Sequence, residues 1–159
     1  MFKKMILPIL VSCGLMLSTA AHADSRAIQL IKNMYADILD EDLIGEDVET
    51  IRYTPQLRQL LNQVNEIGEL KQWQLCEWSY DHKTVPGNDF DTRLSQMKFN
   101  TLPNGRVRAQ GVNFGEYFYR DFEVHCTANN CKINDIFDPT SNPNSYQQSL
   151  RKIIKNKNC

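Results

Sequence analysis

The stretch RLSQMKFNTLPNGRVRAQGVNFGEYFYRDFEVHCTANNCKINDIF, residues 93–137, decides the fold. Within it, runs rich in aromatic and β-branched residues are separated by short sequences typical of turns, namely Pro103-Asn104-Gly105 and Thr127–Asn130. The predicted strands are 93–102, 106–114, 117–126 and 131–137. Connections this short join antiparallel neighbours, so the stretch predicts an antiparallel meander.

Helical patterns flank the meander on both sides. Apolar residues recur at helical spacing over Ser25–Leu39. A second helix begins at Thr54-Pro55, where threonine suits the N-cap and proline the first helical position, and Gly68 is its predicted end. Ser145–Lys155 predicts a short C-terminal helix after a loop over 138–144.

Helices followed by a meander indicate an α+β fold in a single domain, residues 24–159. We expect the N-terminal helices to pack across one face of a curved antiparallel sheet of about four strands. The alternation in WQLCEWSY, residues 73–80, is compatible with a further short strand. The concave face of such a sheet often holds a pocket.

Residues 1–23 are typical of a bacterial signal peptide. Lys3 and Lys4 precede the apolar run Met5–Leu17, and Ala21-His22-Ala23 is a cleavage sequence. The prediction is export to the periplasm with cleavage after Ala23. As an alternative, Leu10–Cys13 resembles a lipobox, which would give a lipoprotein anchored at Cys13. A stable membrane span is disfavoured, because the run is shorter than the ~20 residues that cross a bilayer.

Cleavage would leave four cysteines, and an even number in an oxidising compartment predicts disulfides. Cys126 and Cys131 flank a four-residue hairpin loop, where directly opposed residues come within disulfide range. Cys76 and Cys159 then pair by elimination. The alternatives are a zinc site with His125, which offers three ligands only, and a His125–Cys126 nucleophile, whose adjacent side chains point to opposite faces. We therefore expect neither a metal nor a cofactor.

The charge of the chain is small but unevenly placed. Removal of Lys3 and Lys4 leaves 16 basic residues against 19 acidic ones, a net charge of −3, which argues against nucleic acid as a partner. A basic group lies near the C-terminus: Arg151, Lys152, Lys155 and Lys157. An acidic run without lysine or arginine lies between Lys32 and Arg52: Asp37, Asp40, Glu41, Asp42, Glu46, Asp47 and Glu49.

Two interpretations of the acidic run stay open. It is either a solvated helix end and loop, or a docking patch for a cationic partner. In the second case the candidate contacts are Glu41, Asp42, Glu46 and Asp47.

Asp81, His82 and Asp89 are the candidate catalytic residues, because they cluster around one loop near the predicted pocket mouth. An Asp–His pair could perform acid–base chemistry if both side chains converged. The alternative is a surface loop with Asx-type turns. Asp89-x-Asp91 resembles half of a calcium loop, but no glutamate follows at the required spacing.

Aromatic residues offer two further candidate surfaces. Trp73, Trp78 and Tyr80 belong either to the core and its rim or to a platform for ligand stacking. In the run Tyr117-Phe118-Tyr119, alternate residues of a strand face outward. The run therefore predicts an exposed aromatic edge that a partner can contact.

Several short motifs along the chain form a recognisable pattern: Cys131–Ile136, Ser149–Arg151, Tyr35, Thr54-Pro55-x-Leu57, Asp81 and Asp89. With them the chain resembles a family of exported bacterial proteins of unknown function with a nuclear-transport-factor-2-like, cone-shaped α+β fold. Cys131 stands where that family usually has an aromatic residue. The resemblance implies a fold and gives no catalytic residues.

No convergent catalytic set or known catalytic motif is present in the sequence. The favoured hypothesis is therefore a non-catalytic periplasmic protein of the immunity or inhibitor type that binds another protein of the cell envelope. Two alternatives remain: a small enzyme with an acid–base pocket on the concave sheet face, and an envelope adaptor protein.

Overall fold

A computed structural model describes residues 18–40, 50–70, 84–86, 90–140 and 142–157. In these ranges three α-helices accompany one antiparallel sheet, so the α+β prediction is confirmed. The helices are α1 (Ser18–Ile38), α2 (Pro55–Leu70) and α3 (Tyr146–Asn156). The strands are β1 (Lys98–Thr101), β2 (Val107–Asn113), β3 (Glu116–Cys126), β4 (Cys131–Asp138) and β5 (Asn142–Ser145).

The strands follow one another in the sheet in chain order, β1-β2-β3-β4-β5. The four predicted strands form the first four. The predicted loop over 138–144 was partly wrong, because β5 pairs with the end of β4 through Phe137 and Ser145. Pro143 lies on this edge strand, where its missing N–H leaves no gap between two strands.

Strand β1 begins later than predicted. Leu94–Gln96 form a 3₁₀ turn instead of the start of a strand. Two local hydrogen bonds hold this turn: Gln96 N–H donates to the Arg93 carbonyl at 2.9 Å, and Met97 N–H donates to the Leu94 carbonyl at 3.1 Å. Backbone groups used in this way cannot join the sheet, so pairing with β2 starts at Lys98.

The predicted start of α2 is confirmed. Pro55 is its first residue, and the Leu57 N–H donates to Thr54 Oγ1 at 3.3 Å. The predicted end at Gly68 is wrong, since the helix continues to Leu70. Gly68 does not take the positive φ that a terminating glycine adopts.

The other two helices match their predicted ranges closely. α1 covers nearly all of Ser25–Leu39 but begins earlier, at Ser18. At the start of α3, Ser145 Oγ accepts a hydrogen bond from the Gln148 N–H at 3.0 Å, as an N-cap does.

The core lies between the helices and one face of the sheet. Tyr35 of α1 contacts the edges of Phe99 and Phe122, with ring centroids 5.8 and 6.2 Å apart. Strand alternation divides the faces cleanly, because β2 buries every second residue from Val107 to Asn113. The fully buried apolar side chains come from every layer: Ile31, Met34, Tyr35, Tyr53, Leu57, Ala109, Phe122, Ile133, Ile136, Tyr146 and Leu150.

One of the two predicted disulfides is present. Cys126 and Cys131 are directly opposed in the β3–β4 hairpin, with Cα atoms 4.0 Å apart, and their sulfur atoms are bonded. This bond removes both thiols, so the zinc and nucleophile alternatives at this hairpin are wrong. Cys76 and Cys159 lie outside the described residues, and their pairing stays a prediction.

Candidate functional site

Most of the sequence-predicted site residues lie outside the described ranges. The predicted acid–base pocket, acidic docking patch and tryptophan platform therefore stay predictions. The residues concerned are Asp81, His82, Asp89, Glu41, Asp42, Glu46, Asp47, Trp73, Trp78 and Tyr80.

Asp91, two residues after Asp89, lies within the described residues and forms hydrogen bonds with the end of β2 and the turn that follows it. Its backbone N–H donates to Asn113 Oδ1 at 3.0 Å, and its carboxylate accepts the Phe114 N–H at 2.5 Å. The Thr92 hydroxyl donates to the Val112 carbonyl at 3.0 Å. These bonds fasten residues 91–92 to the end of β2.

The turn between β2 and β3 consists of Phe114 and Gly115, both with positive φ, 46° and 83°. A type I′ hairpin turn requires positive φ at both central residues and favours Asn-Gly. Glycine adopts this conformation freely. For an L-residue with a Cβ it costs about 1–2 kcal/mol, so Phe114 is a strained choice at this position.

Phe114 and its neighbour Tyr117 project into solvent. Phe114 is 63% exposed and Tyr117 is 76% exposed, whereas Phe118 is buried. The exposed aromatic edge predicted from the alternation in Tyr117-Phe118-Tyr119 is confirmed. The sequence analysis did not predict that Phe114 is exposed, because a phenylalanine before a glycine is typical of the last residue of a strand.

Two further apolar side chains lie at the same end of the molecule. Phe90 and Leu94 are each 37% exposed and flank the segment that Asp91 and Thr92 fasten to β2. We call Phe90, Leu94, Phe114 and Tyr117 the apolar tip. It contains four of the six large exposed hydrophobic residues found in the described ranges; the other two are Ile51 and Leu70.

A buried ion pair lies on the helix-facing side of the sheet. Arg120 Nη1 is 3.0 Å from Asp138 Oδ2, and each side chain is only 1% exposed. Burial lowers the pKa of Arg120, and the Asp138 charge opposes that shift. Because solvent does not reach this pair, its role is in holding β3 to β4 in the core.

Asp135 of β4 is a second buried acidic residue, and it contacts the start of α3. It accepts hydrogen bonds from the Ile136 N–H at 2.9 Å and the Gln147 N–H at 3.0 Å. Burial raises the pKa of its carboxyl group, and the bonds from Gln147, Ser145 and Ile136 work in the opposite direction. These contacts serve the helix N-terminus, so this carboxylate also has a structural role.

The other face of the sheet carries paired charges and aromatic rings. Arg108 holds Asp121 through two hydrogen bonds of 2.6 and 2.8 Å. The Arg106 guanidinium lies 3.3 Å from the centre of the Phe137 ring. Both cations thus have contacts within the sheet itself.

An ion pair joins the segment before residues 41–49 to the segment after them. It forms between Asp37 on α1 and Arg52. Asp37 therefore has a cation beside it. The predicted docking residues Glu41, Asp42, Glu46 and Asp47 lie between these two anchors in the chain.

No metal-binding cluster of histidine, cysteine, aspartate or glutamate occurs in the part of the chain that the structure describes. His125 lies 3.0 Å from Glu123 Oε1 on the exposed end of β3. Among the described residues, none of the helices has the length and apolar character that crossing a membrane requires.

Comparison with protein-family models, curated proteins and solved structures finds no match to this chain. The resemblance to the nuclear-transport-factor-2-like family stays a prediction.

Proposed function

We propose that this chain is an exported, non-catalytic binding protein of the periplasm that contacts another protein of the cell envelope through its apolar tip. The immunity or inhibitor type fits this role best. The observation that carries the proposal is Phe114, an aromatic residue that is 63% exposed and has a φ of 46°.

The conformation of Phe114 is unfavourable for the folded protein taken alone. Asparagine would fit the same turn with less strain, and it would not expose a ring to water. Strained residues persist where the surrounding structure determines them, and they concentrate at functional sites. Asp91 and Asn113 supply such support through the bonds that join them at the turn.

The composition of the apolar tip suits a protein partner. Aromatic side chains are enriched in protein interfaces, where an apolar centre is surrounded by a polar rim. Arg93 and Glu116 are exposed beside Phe90, Leu94 and Tyr117 and would form part of such a rim.

Export is supported by the predicted signal peptide and is consistent with the Cys126–Cys131 disulfide, because such bonds form mainly in oxidising compartments. The acidic residues Glu41, Asp42, Glu46 and Asp47 remain part of the proposal, as groups that would steer a cationic partner. An adaptor role would use the same tip. The enzyme alternative depends on Asp81, His82 and Asp89, which lie outside the described residues.

The test is affinity capture from envelope extract with three proteins: wild type, Phe114→Asn and Ile51→Asn. Ile51 is 59% exposed and lies away from the tip, so its variant loses a comparable apolar surface elsewhere. We expect Phe114→Asn to lose the partner and Ile51→Asn to keep it. Equal capture by Phe114→Asn and wild type would refute the tip as the binding surface.

A further inference from the structure

We infer that the exposed basic face of α3 binds an anionic phospholipid surface. Arg151, Lys152, Lys155 and Lys157 are all exposed. The residues at positions 151 and 155, and those at 152 and 155, are spaced so that they share one side of the helix. This surface is distinct from the apolar tip and does not depend on the proposed protein partner.

None of the ion pairs among the described residues involves this face. Their cations are Arg52, Arg108, Arg120 and His125. Arg151 donates to Gln147 Oε1 at 3.0 Å, a neutral acceptor, and α3 itself contains no aspartate or glutamate. Four exposed positive charges therefore lie between Arg151 and Lys157, in a chain whose predicted mature form has net charge −3.

Stabilisation of the helix does not explain all four positive charges. A cation near the C-terminus of a helix is favourable, which accounts for Lys155 in the last turn. Arg151 and Lys152 lie a turn earlier, and like charges three or four residues apart destabilise a helix.

The chemistry of the face favours a lipid surface over a protein. Its apolar residues point inward, with Tyr146 and Leu150 buried and Ile153 and Ile154 half-buried, so no large exposed hydrophobic residue lies on α3. Protein interfaces need an apolar centre and are depleted in lysine. An anionic membrane attracts clustered lysine and arginine by charge alone, each contributing about fivefold in binding.

The test is sedimentation with vesicles of phosphatidylcholine alone or with 30% phosphatidylglycerol, at low and high salt. Two double variants each remove two exposed positive charges: Lys152→Gln with Lys155→Gln, and the matched control Lys32→Gln with Lys98→Gln. All proteins are compared in the same processed form. The melting temperature of each variant checks that it is folded. Because all four substituted side chains are exposed, we expect melting temperatures close to that of the wild type.

We expect salt-sensitive binding to the anionic vesicles only. The α3 variant should weaken it about 25-fold, two steps of about fivefold, and the control by less than twofold. Equal losses in both variants would show a net-charge effect and overturn the proposal. Binding to neutral vesicles, or binding to poly-glutamate without binding to vesicles, would also overturn it, the latter in favour of an acidic protein.

Discussion

The carboxylate of Asp91 accepts the backbone N–H of Phe114, so a loop residue distant in sequence fixes a turn at the far end of β2. The Asn113 side chain completes the link, since its Oδ1 accepts the Asp91 N–H and its Nδ2 donates to the Pro86 carbonyl at 2.8 Å. Three separate segments of the chain thus meet at one hairpin end. This convergence holds an exposed aromatic residue in a left-handed conformation.

Replacing Phe114 with asparagine should stabilise the protein while removing its partner binding. Asparagine tolerates the φ of 46° far better, so we expect the free energy of unfolding to rise by about 1 kcal/mol. For a domain of this size that corresponds to a rise in the melting temperature of roughly 3 °C. Thermal unfolding measured by circular dichroism tests this directly.

Phe114→Leu is the control for that measurement. Leucine keeps both the strain and an exposed apolar side chain, so its melting temperature should remain within a degree or so of wild type. A lower melting temperature for Phe114→Asn would mean that the phenylalanine ring stabilises the fold through its own contacts. The strain argument would then be wrong.

The buried ion pair predicts a contrast between single and double variants. Asp138→Asn keeps an oxygen for the bonds that Thr140 donates to Oδ1 at 2.9 and 2.6 Å, but it removes the carboxylate charge that lies beside the buried Arg120 guanidinium. We expect a loss of about 3–5 kcal/mol. Arg120→Met with Asp138→Leu removes both charges and should recover most of that loss.

Urea unfolding of the three proteins decides the point. Equal stability of wild type and Asp138→Asn would show that Arg120 does not need its carboxylate partner. The double variant also loses the acceptor for Thr140, so full recovery is not required, but it must be the more stable of the two variants.

Local signals predicted those parts of the fold that local chemistry determines. Thr54-Pro55 gave the start of α2, and the spacing of Cys126 and Cys131 gave their hairpin and its disulfide. The predicted end of α2 at Gly68 was wrong because a glycine that ends a helix usually adopts a positive φ, and Gly68 does not. Strand β5 was not predicted because its sequence, Asn142–Ser145, contains a proline and has no pattern typical of a strand. It forms through its pairing with β4.

The candidate surface was predictable only in part. Strand alternation identified Tyr117 as exposed. The role of Phe114 depends on Asp91, which lies 23 residues earlier, and no local pattern connects the two. Arg120 falls on the same face as Phe118 and Phe122, so alternation does place it inward, but its partner Asp138 is known only once β3 and β4 are aligned.

The stability contributed by Asp135 should fall as the pH rises. Burial raises the pKa of this carboxyl group above its usual value of 3.8, so over that interval the folded state binds more protons than the unfolded state. The contribution of Asp135 is then largest below pH 3.8 and decreases through the folded-state pKa. Asp135→Asn cannot titrate, and the difference between wild type and variant isolates this residue.

Urea unfolding of both proteins across the acidic to neutral range measures that difference. We expect wild type to lose stability relative to Asp135→Asn as the pH increases. The reverse trend would mean that the hydrogen bonds from Gln147 and Ser145 outweigh the burial of the charge.

The two predicted disulfides should differ in their effect on stability. Cys126–Cys131 closes a separation of only five residues, which the chain-entropy model values at about 2 kcal/mol. Cys76–Cys159 would close most of the domain and contribute about 4 kcal/mol. Cys159→Ser should therefore lower the melting temperature more than Cys126→Ser with Cys131→Ser. Non-reducing peptide mapping of the exported protein gives the connectivity first, and a Cys159 found with a free thiol would remove the basis for this ranking.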